Sequence, residues 1–250
     1  MAEPFSTQGR PLVVGVNHRS SSMMLRDRLF VEDRALPEFF KRLRLSGFSQ
    51  ALVLATCDRI EIQTIHDDHQ AAVQGIIKVM AAHGGVSPAD LDGQIYTFSD
   101  AEAVRHIFTV PASLDSMMLG EPQVFGQVKA SHKIAQNRGM IGGELEALLQ
   151  AAYAAAKRVR NETTIGERPV SIASAAVELA RELHGDLGRC AGLLIGSGEM
   201  GELVAENLIS AGLGDLTATH PTEAMAENLA RVLDCHVASF ESLAKLLVKA

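Results

Sequence analysis

The sequence predicts two joined domains: a mixed α+β domain over residues 1–165 and a partial, parallel-sheet α/β domain over residues 166–250. Three observations predict this. Apolar runs and helical spacings mix without a strict rhythm as far as Glu162. A break follows at Thr163–Gly166, with Pro169 beyond it. From Ala191 onward, short apolar strands alternate regularly with helical stretches, which is the pattern of a parallel sheet in a doubly wound fold. A length of 250 residues suits one large domain or two modest ones. Apolar residues at 47% are enough for ordinary cores, and aromatics at only 4% favour Ala/Leu/Val-based helical packing.

In the first domain, Leu12–Val16 is a β-rich apolar run. Ala35–Leu45 places Leu36, Phe39, Phe40 and Leu43 at helical spacing, with Pro37 near the start and Gly47 beyond the end. Ala51–Thr56 is short enough for a buried strand, and Ile60–Ile65 alternates apolar and polar like a half-buried one. Ala71–Ala82 reads as a helix closed by Gly84–Gly85, and Gln94–Phe98 as a short strand. Ala101–Phe108, Gln123–Asn137 and the Ala/Leu-rich Glu144–Glu162 read as helices. Ser171–Leu183 is a further helix with Ser171 as its candidate cap. The second domain then runs strand Gly192–Ile195, helix Met200–Ser210, strand Leu216–Thr219, helix Thr222–Leu233, strand His236–Ala238 and a helix starting in Phe240–Lys249.

Composition narrows the class. No apolar run approaches the ~20 residues that a membrane span needs. The amino terminus MAEPFSTQGR lacks the apolar core of a secretory signal. Three cysteines far apart in sequence, Cys57, Cys190 and Cys235, argue against a disulfide framework or a zinc site and suit a reducing cytoplasm. No HxH, HExxH or CxxC spacing suggests a metal. The net charge of −7 disfavours a nonspecific nucleic-acid binder. The acidity is uneven, however. Residues 1–170 carry 18 Lys/Arg against 19 Asp/Glu, whereas residues 171–250 carry 5 against 11. Basic patches for RNA phosphates are therefore available in the first domain, and Lys157, Arg158 and Arg160 form one such run, unless they are simply a solvated helix face.

The strand at 191–195 leads into Gly196-Ser197-Gly198-Glu199-Met200-Gly201, a GxGxxG loop that opens a helix. The first glycine allows the tight turn, the second lets backbone N–H groups approach a pyrophosphate, and the third lets helix and strand pack closely. A lone GxGxxG is weak, but its position between a strand and a helix is the context a Rossmann-like dinucleotide site requires. At the end of the next strand, where an acid or a cation selects the cofactor, the chain has Thr219-His220-Pro221.

Cys57 follows an apolar strand in Ala55-Thr56-Cys57-Asp58-Arg59. Arg59 favours a thiolate and can hold a carboxylate, while Asp58 opposes the thiolate. On these residues alone, an inert cysteine competes with a reactive one. His18 and His106 taken singly read as structural histidines. Leu114–Gln123 is a polar, glycine-containing stretch interrupted by Met117 and Met118, able to offer Ser, Glu and Gln side chains to a pocket.

In order, GVNHRSS, TCDR, HIFTVPASLDSMMLGEPQVFGQVKA, KRVRNETTIGERPVSIASAAVELA and LLIGSGEMGELVA resemble the glutamyl-tRNA reductase family, almost continuously from about Val14 to Gly201. The resemblance implies that residues 1–165 are a catalytic and substrate-binding domain and 166–250 part of an NADP-binding domain. It implies reduction of glutamyl-tRNA to glutamate-1-semialdehyde with NADPH through a cysteine thioester, in tetrapyrrole (porphyrin) biosynthesis. By position it makes Cys57 the nucleophile and His106 a catalytic assistant. Thr56, Asp58, Arg59, Ser116, Glu121, Pro122, Gln123 and Gln127 then line the glutamate pocket with Cys57. Gly196, Ser197, Gly198, Glu199, Met200 and Gly201 hold NADPH. The implied partners are glutamyl-tRNA, the glutamate-1-semialdehyde aminotransferase that takes the product, and a second copy of the chain in a homodimer.

The chain also departs from the family pattern. It has Asp58 where Asn is usual, Pro111 where Ala is usual, and Ala112-Ser113 for Ala-Gly. His220-Pro221-Thr222 stands where Asn-Arg-Thr is usual, so the arginine for a 2′-phosphate is absent there. The second half of the nucleotide fold and a helical dimerisation domain are not in these 250 residues. The alternative expectation is therefore a truncated relative, non-catalytic or only an esterase, that binds charged tRNA or a pathway partner.

Overall fold

The computed structural model describes residues 9–116, 119–121, 123–166, 172–196 and 198–247, with the side chains of Ile172 and Glu199 left aside. The chain forms two compact units, Met1–Pro169 and Val170–Ala250. The class is α+β followed by a Rossmann-like parallel α/β unit.

The first unit is built on a four-stranded antiparallel sheet in the order β2-β3-β1-β4. Its strands are β1 (Arg10–Asn17), β2 (Ala51–Ala55), β3 (Arg59–His66) and β4 (Tyr96–Ser99). Helices α1 (Met23–Leu29), α2 (Leu36–Leu45) and α3 (His69–Gly84) pack together beside β1 and β3. Helices α4 (Asp100–Thr109), α5 (Gln123–Asn137) and α6 (Gly143–Glu162) cover the sheet as well, α4 on β1, α5 on β2 and α6 on α4. One continuous core results, with Leu12, Val14, Phe39, Leu43, Leu52, Ile62 and Ile76 fully or almost fully buried.

Helix α1 was not expected. It is seven residues long and exposes Met23 and Met24, so its apolar signal reduces to Leu25 and Leu29, while Ser22 caps it by accepting from the Leu25 amide at 3.2 Å. Strand β3 also differs from expectation. Its alternation predicted one wet face, yet seven of its eight residues are buried. The polar row of Arg59, Glu61 and Gln63 meets partners inside the protein instead of water, and this is what makes its burial tolerable.

The second unit begins with α7 (Ile172–His184); its proposed cap Ser171, like Pro169, lies outside the described residues. A three-stranded parallel sheet follows in the order β5-β6-β7, from β5 (Ala191–Ile195), β6 (Asp215–Thr219) and β7 (His236–Val237). Helices α8 (Glu199–Ser210) and α9 (Glu223–Leu233) make the crossovers. The core is small, centred on Ala205, Leu216 and Leu233. The helix expected over Phe240–Lys249 is instead a 3₁₀ turn, Phe240–Ser242, leading into α10 (Leu243–Leu246). Among the described residues, no helix is long and apolar enough to cross a membrane.

Candidate functional site

Strands β2 and β3 are joined by a tight turn, Thr56-Cys57-Asp58-Arg59. The Thr56 amide donates to the Arg59 carbonyl at 2.8 Å, and the Thr56 hydroxyl accepts from the amides of Asp58 and Arg59 at 3.2 Å each. Thr56 is buried by this work. Cys57 stands at the tip and is exposed, whereas Cys190 and Cys235 are half-buried. Burial, aided by Asp215 and Asp234, also pushes the Cys235 thiol up, against a backbone hydrogen bond at Ala218. Limiting iodoacetamide is therefore expected to label Cys57 first. Peptide mapping that found Cys190 or Cys235 modified ahead of it would defeat this assignment.

Behind the turn lies a buried charge cluster that strand register creates. Glu61 sits opposite Gly15, and Gly15 sits opposite Tyr96. A side chain at Gly15 would put its Cβ 2.6 Å from Glu61 Cβ, so glycine is what lets Tyr96 reach across the middle strand. The Tyr96 hydroxyl donates to Glu61 Oε2 at 2.7 Å, His106 Nε2 from α4 bonds the same oxygen at 2.8 Å, and Gln63 donates to Oε1 at 2.6 Å. Burial alone would raise the Glu61 carboxyl. His106, Arg59 and Gln63 outweigh it and hold the group down at about 2. The Tyr96 hydroxyl is pushed well above its usual range, first by burial and then by Glu61.

Arg59 was expected to face substrate. It is only 2% exposed, and its guanidinium is engaged by protein carboxylates. It donates to Asp115 Oδ2 at 3.0 Å, to the Asp115 carbonyl, and to Asp58 Oδ2 at 3.3 Å, with Glu61 at 3.7 Å. Asp58 spends its other oxygen on His18 Nδ1 at 2.5 Å, and Asp115 spends its other oxygen on Arg19 at 2.8 Å. His18 thus has a partner in the site, which its position after β1 alone did not suggest. Glu61, Tyr96, Asp115 and Arg19 were missed by the sequence reading. The one usable signal was Glu61 and Arg59 on the same face of a strand two residues apart.

Of the remaining expected residues, Ser116 is buried with a hydroxyl that has no hydrogen-bond partner among the described residues. Glu121 is buried, and its carboxyl is raised by burial and by Asp58 against the pull of Arg59, which places it near the cluster. Gln123 and Gln127 are half-buried on the first turns of α5, and no hydrogen bond among the described residues joins them to the cluster. Pro122 lies outside the described residues. A cleft of about 400 Å³ opens beside the cluster, lined by Phe98, Arg105, His106, Thr109 and Asp115 among others.

In the second unit, Gly196 adopts φ +101°, a conformation side chains resist, and a Cβ at Gly198 would meet nothing within 4 Å among the described residues. A Cβ at Gly201 would lie 3.2 Å from the Leu194 side chain, so this glycine sets helix–strand packing. Gly198 caps the twelve-residue α8, with Met200 half-buried in its first turn. Ser197 and the Glu199 side chain lie outside the described residues. The Gly196 amide donates to the Thr219 carbonyl at 2.9 Å, which brings the end of β6, and His220 after it, beside the loop. The His220 Nδ1 accepts from the Thr222 amide at 2.8 Å. An open glycine cradle at the start of a full helix fits a dinucleotide pyrophosphate.

These features define a chain that joins a thiol-bearing α+β unit to a unit of dinucleotide-binding fold. The family model described as Glutamyl-tRNAGlu reductase, N-terminal domain, matches residues 14–163, and that of shikimate/quinate 5-dehydrogenase matches residues 178–250. The glutamyl-tRNA reductase of Rhodospirillum rubrum is 46% identical over 96% of this chain and 56% of its own length. That of Magnetococcus marinus is 41% identical over 96% and 57%. Among solved structures, the glutamyl-tRNA reductase from Methanopyrus kandleri superposes with a TM-score of 0.58 at 29% identity, covering 96% of this chain and 56% of that one. The chain belongs to the glutamyl-tRNA reductase family, and it spans about half the length of the curated relatives it matches.

Proposed function

We propose that this protein performs the chemistry of glutamyl-tRNA reduction, with residues 1–165 as the catalytic and substrate-binding domain and 166–250 as part of the NADP-binding domain. The observation that carries the reading is the exposed thiol of Cys57 in a hydrogen-bonded turn whose next two residues, Asp58 and Arg59, belong to a cluster with Glu61, His106 and Asp115. The Cys57 thiolate attacks the ester carbonyl of glutamate on its tRNA. The carbon–oxygen bond to the ribose breaks, the ribose oxygen takes up a proton, and the glutamyl group stays on sulfur as a thioester. NADPH, when bound, supplies the hydride that converts the thioester to glutamate-1-semialdehyde and releases the thiolate. The backbone of Gly196, Gly198 and the start of α8 would hold its pyrophosphate.

Thr56, Asp58, Arg59, Ser116, Glu121, Pro122, Gln123 and Gln127 remain the proposed glutamate pocket. The buried Ser116 hydroxyl, which has no partner among the described residues, supports this, because such a group gains most from a polar ligand. Arg59 contributes either by fixing Asp58 and Asp115 or, once a substrate carboxylate displaces Asp115, directly. His106, held by Glu61, is the proposed catalytic assistant. A reducing, cytoplasmic setting is part of the proposal, on three cysteines far apart in sequence with no CxxC spacing.

The test is to incubate labelled glutamyl-tRNA with the protein, with and without NADPH. A glutamyl adduct on Cys57 by intact mass, accelerated deacylation, and semialdehyde only with NADPH are expected. Neither adduct nor deacylation above a Cys57→Ser control would overturn the reading.

A further inference from the structure

The run Lys157, Arg158 and Arg160 does not form one patch. Arg158 pairs with Glu162 at 2.9 Å, and Arg160 turns inward to the Glu121 carbonyl at 3.1 Å and the Ser113 hydroxyl at 3.4 Å. Lys157 instead lines a groove together with two lysines of another helix. A groove of about 590 Å³ between α5 and α6 is lined by Lys129, Lys133, Gln136, Gln150, Tyr153 and Lys157, together with His132 and Glu146. The spacing is regular. Residues 129, 132, 133 and 136 make one stripe of α5, and residues 146, 150, 153 and 157 make one stripe of α6.

All three lysines are exposed. The one acid on the wall is already committed. Glu146 accepts from Gln150 at 2.8 Å and bonds His132 Nε2 at 2.9 Å, and these contacts, Gln150 foremost, lower its carboxyl against the opposing effect of burial. His132 Nδ1 in turn bonds the Tyr153 hydroxyl at 3.1 Å. The floor is thus a hydrogen-bonded polar network, and the rim carries three lysines for which no ion pair is formed among the described residues, Lys129 lying 5.5 Å from the Phe125 ring centroid. The groove also starts next to the site. Lys157 is three residues before Arg160, about 5 Å along the helix axis, and Arg160 bonds the loop whose Asp115 holds Arg59. From Lys157 to Glu146 the stripe runs roughly 16 Å away from that loop.

We propose that this groove is a docking surface for the sugar–phosphate backbone of the tRNA next to its aminoacylated end. The inference rests on the proposed function, since a tRNA must present its ester to Cys57. Lysines at helical spacing over a polar floor suit phosphates, which need charge without base recognition.

The experiment measures binding of glutamyl-tRNA by the full chain across a salt series, against Lys129→Gln/Lys133→Gln/Lys157→Gln, with thermal melting to confirm folding. The parent should lose affinity with salt. The triple variant should bind at least about tenfold more weakly near 0.1 M salt, with a log–log salt slope shallower by roughly 2–3. Deacylation by the variant should show a raised KM with kcat unchanged, and reaction of Cys57 with a small glutamyl thioester should be unaltered. A triple variant that keeps parental affinity and slope, while the parent binds and deacylates, overturns the groove and leaves the proposed function intact. A parent that neither binds nor deacylates glutamyl-tRNA overturns the function on which the groove depends.

Discussion

Replacing Cys57 by serine is expected to slow single-turnover release of glutamate from its tRNA by about a thousandfold or more. A serine hydroxyl ionises far less readily than a thiol. The carboxylates flanking the turn, Asp58 and Asp115, are already bound to His18, Arg59 and Arg19, so neither is held ready as its base. The folded protein should tolerate the change, because the side chain is exposed and serine is nearly its size, and the Thr56, Asp58 and Arg59 hydrogen bonds of the turn are kept. Stability should move by no more than about 0.5 kcal/mol. Stopped-time assays and melting curves on the same preparation separate the two. Retention of most of the rate would remove Cys57 from the mechanism, and a lost rate with a collapsed melting point would make its role structural.

Glu61→Ala should destabilise the first unit by about 3–5 kcal/mol, the usual cost of removing one partner from a buried ionic cluster. It leaves His106 and the Tyr96 hydroxyl without their acceptor and Arg59 short of a counter-charge. A fall in Tm of roughly 10 °C is the corresponding reading. Glu61→Gln keeps an acceptor oxygen and should cost less. The pair also predicts acid sensitivity. The Glu61 carboxyl in the folded protein is depressed to about 2, below its unfolded value of roughly 4.3. Its stabilisation is therefore complete above that unfolded value and disappears as pH falls from there toward 2. Urea midpoints measured between neutrality and pH 3 should fall less steeply for Glu61→Gln than for the parent. Parallel curves would show that Glu61 does not carry the charge assigned to it.

Much of the fold was legible because its signals are local. Helix α5 spans the same residues that its periodicity predicted, Gln123–Asn137, and β5, β6 and the glycine turn stand where the strand–turn–helix pattern put them. Helix α1 was not legible, since seven residues with two buried leucines barely exceed what a loop shows. The basic run of α6 misled for a geometric reason. Arg158 points about 100° away from Lys157 and pairs with Glu162, and Arg160, although it is three residues on and near the same face, turns its guanidinium inward to the Glu121 carbonyl and the Ser113 hydroxyl, while Lys157 shares a groove with Lys129 and Lys133.

The same contrast separates the two levels of the candidate site. The sequence by itself determined most of the elements in their order, α1 excepted, a cysteine at a strand end between Thr56 and Asp58, and a glycine loop between a strand and a helix, because backbone conformation is set by near neighbours. Only the tertiary structure decided that Arg59 faces Asp115, that His106 and Tyr96 converge on Glu61 over an empty Gly15, and that Asp58 is tied to His18. Hydrogen bonds and ion pairs act over about 3–4 Å in space whatever the distance along the chain. Strand register and helix docking, not residue spacing, therefore choose the partners.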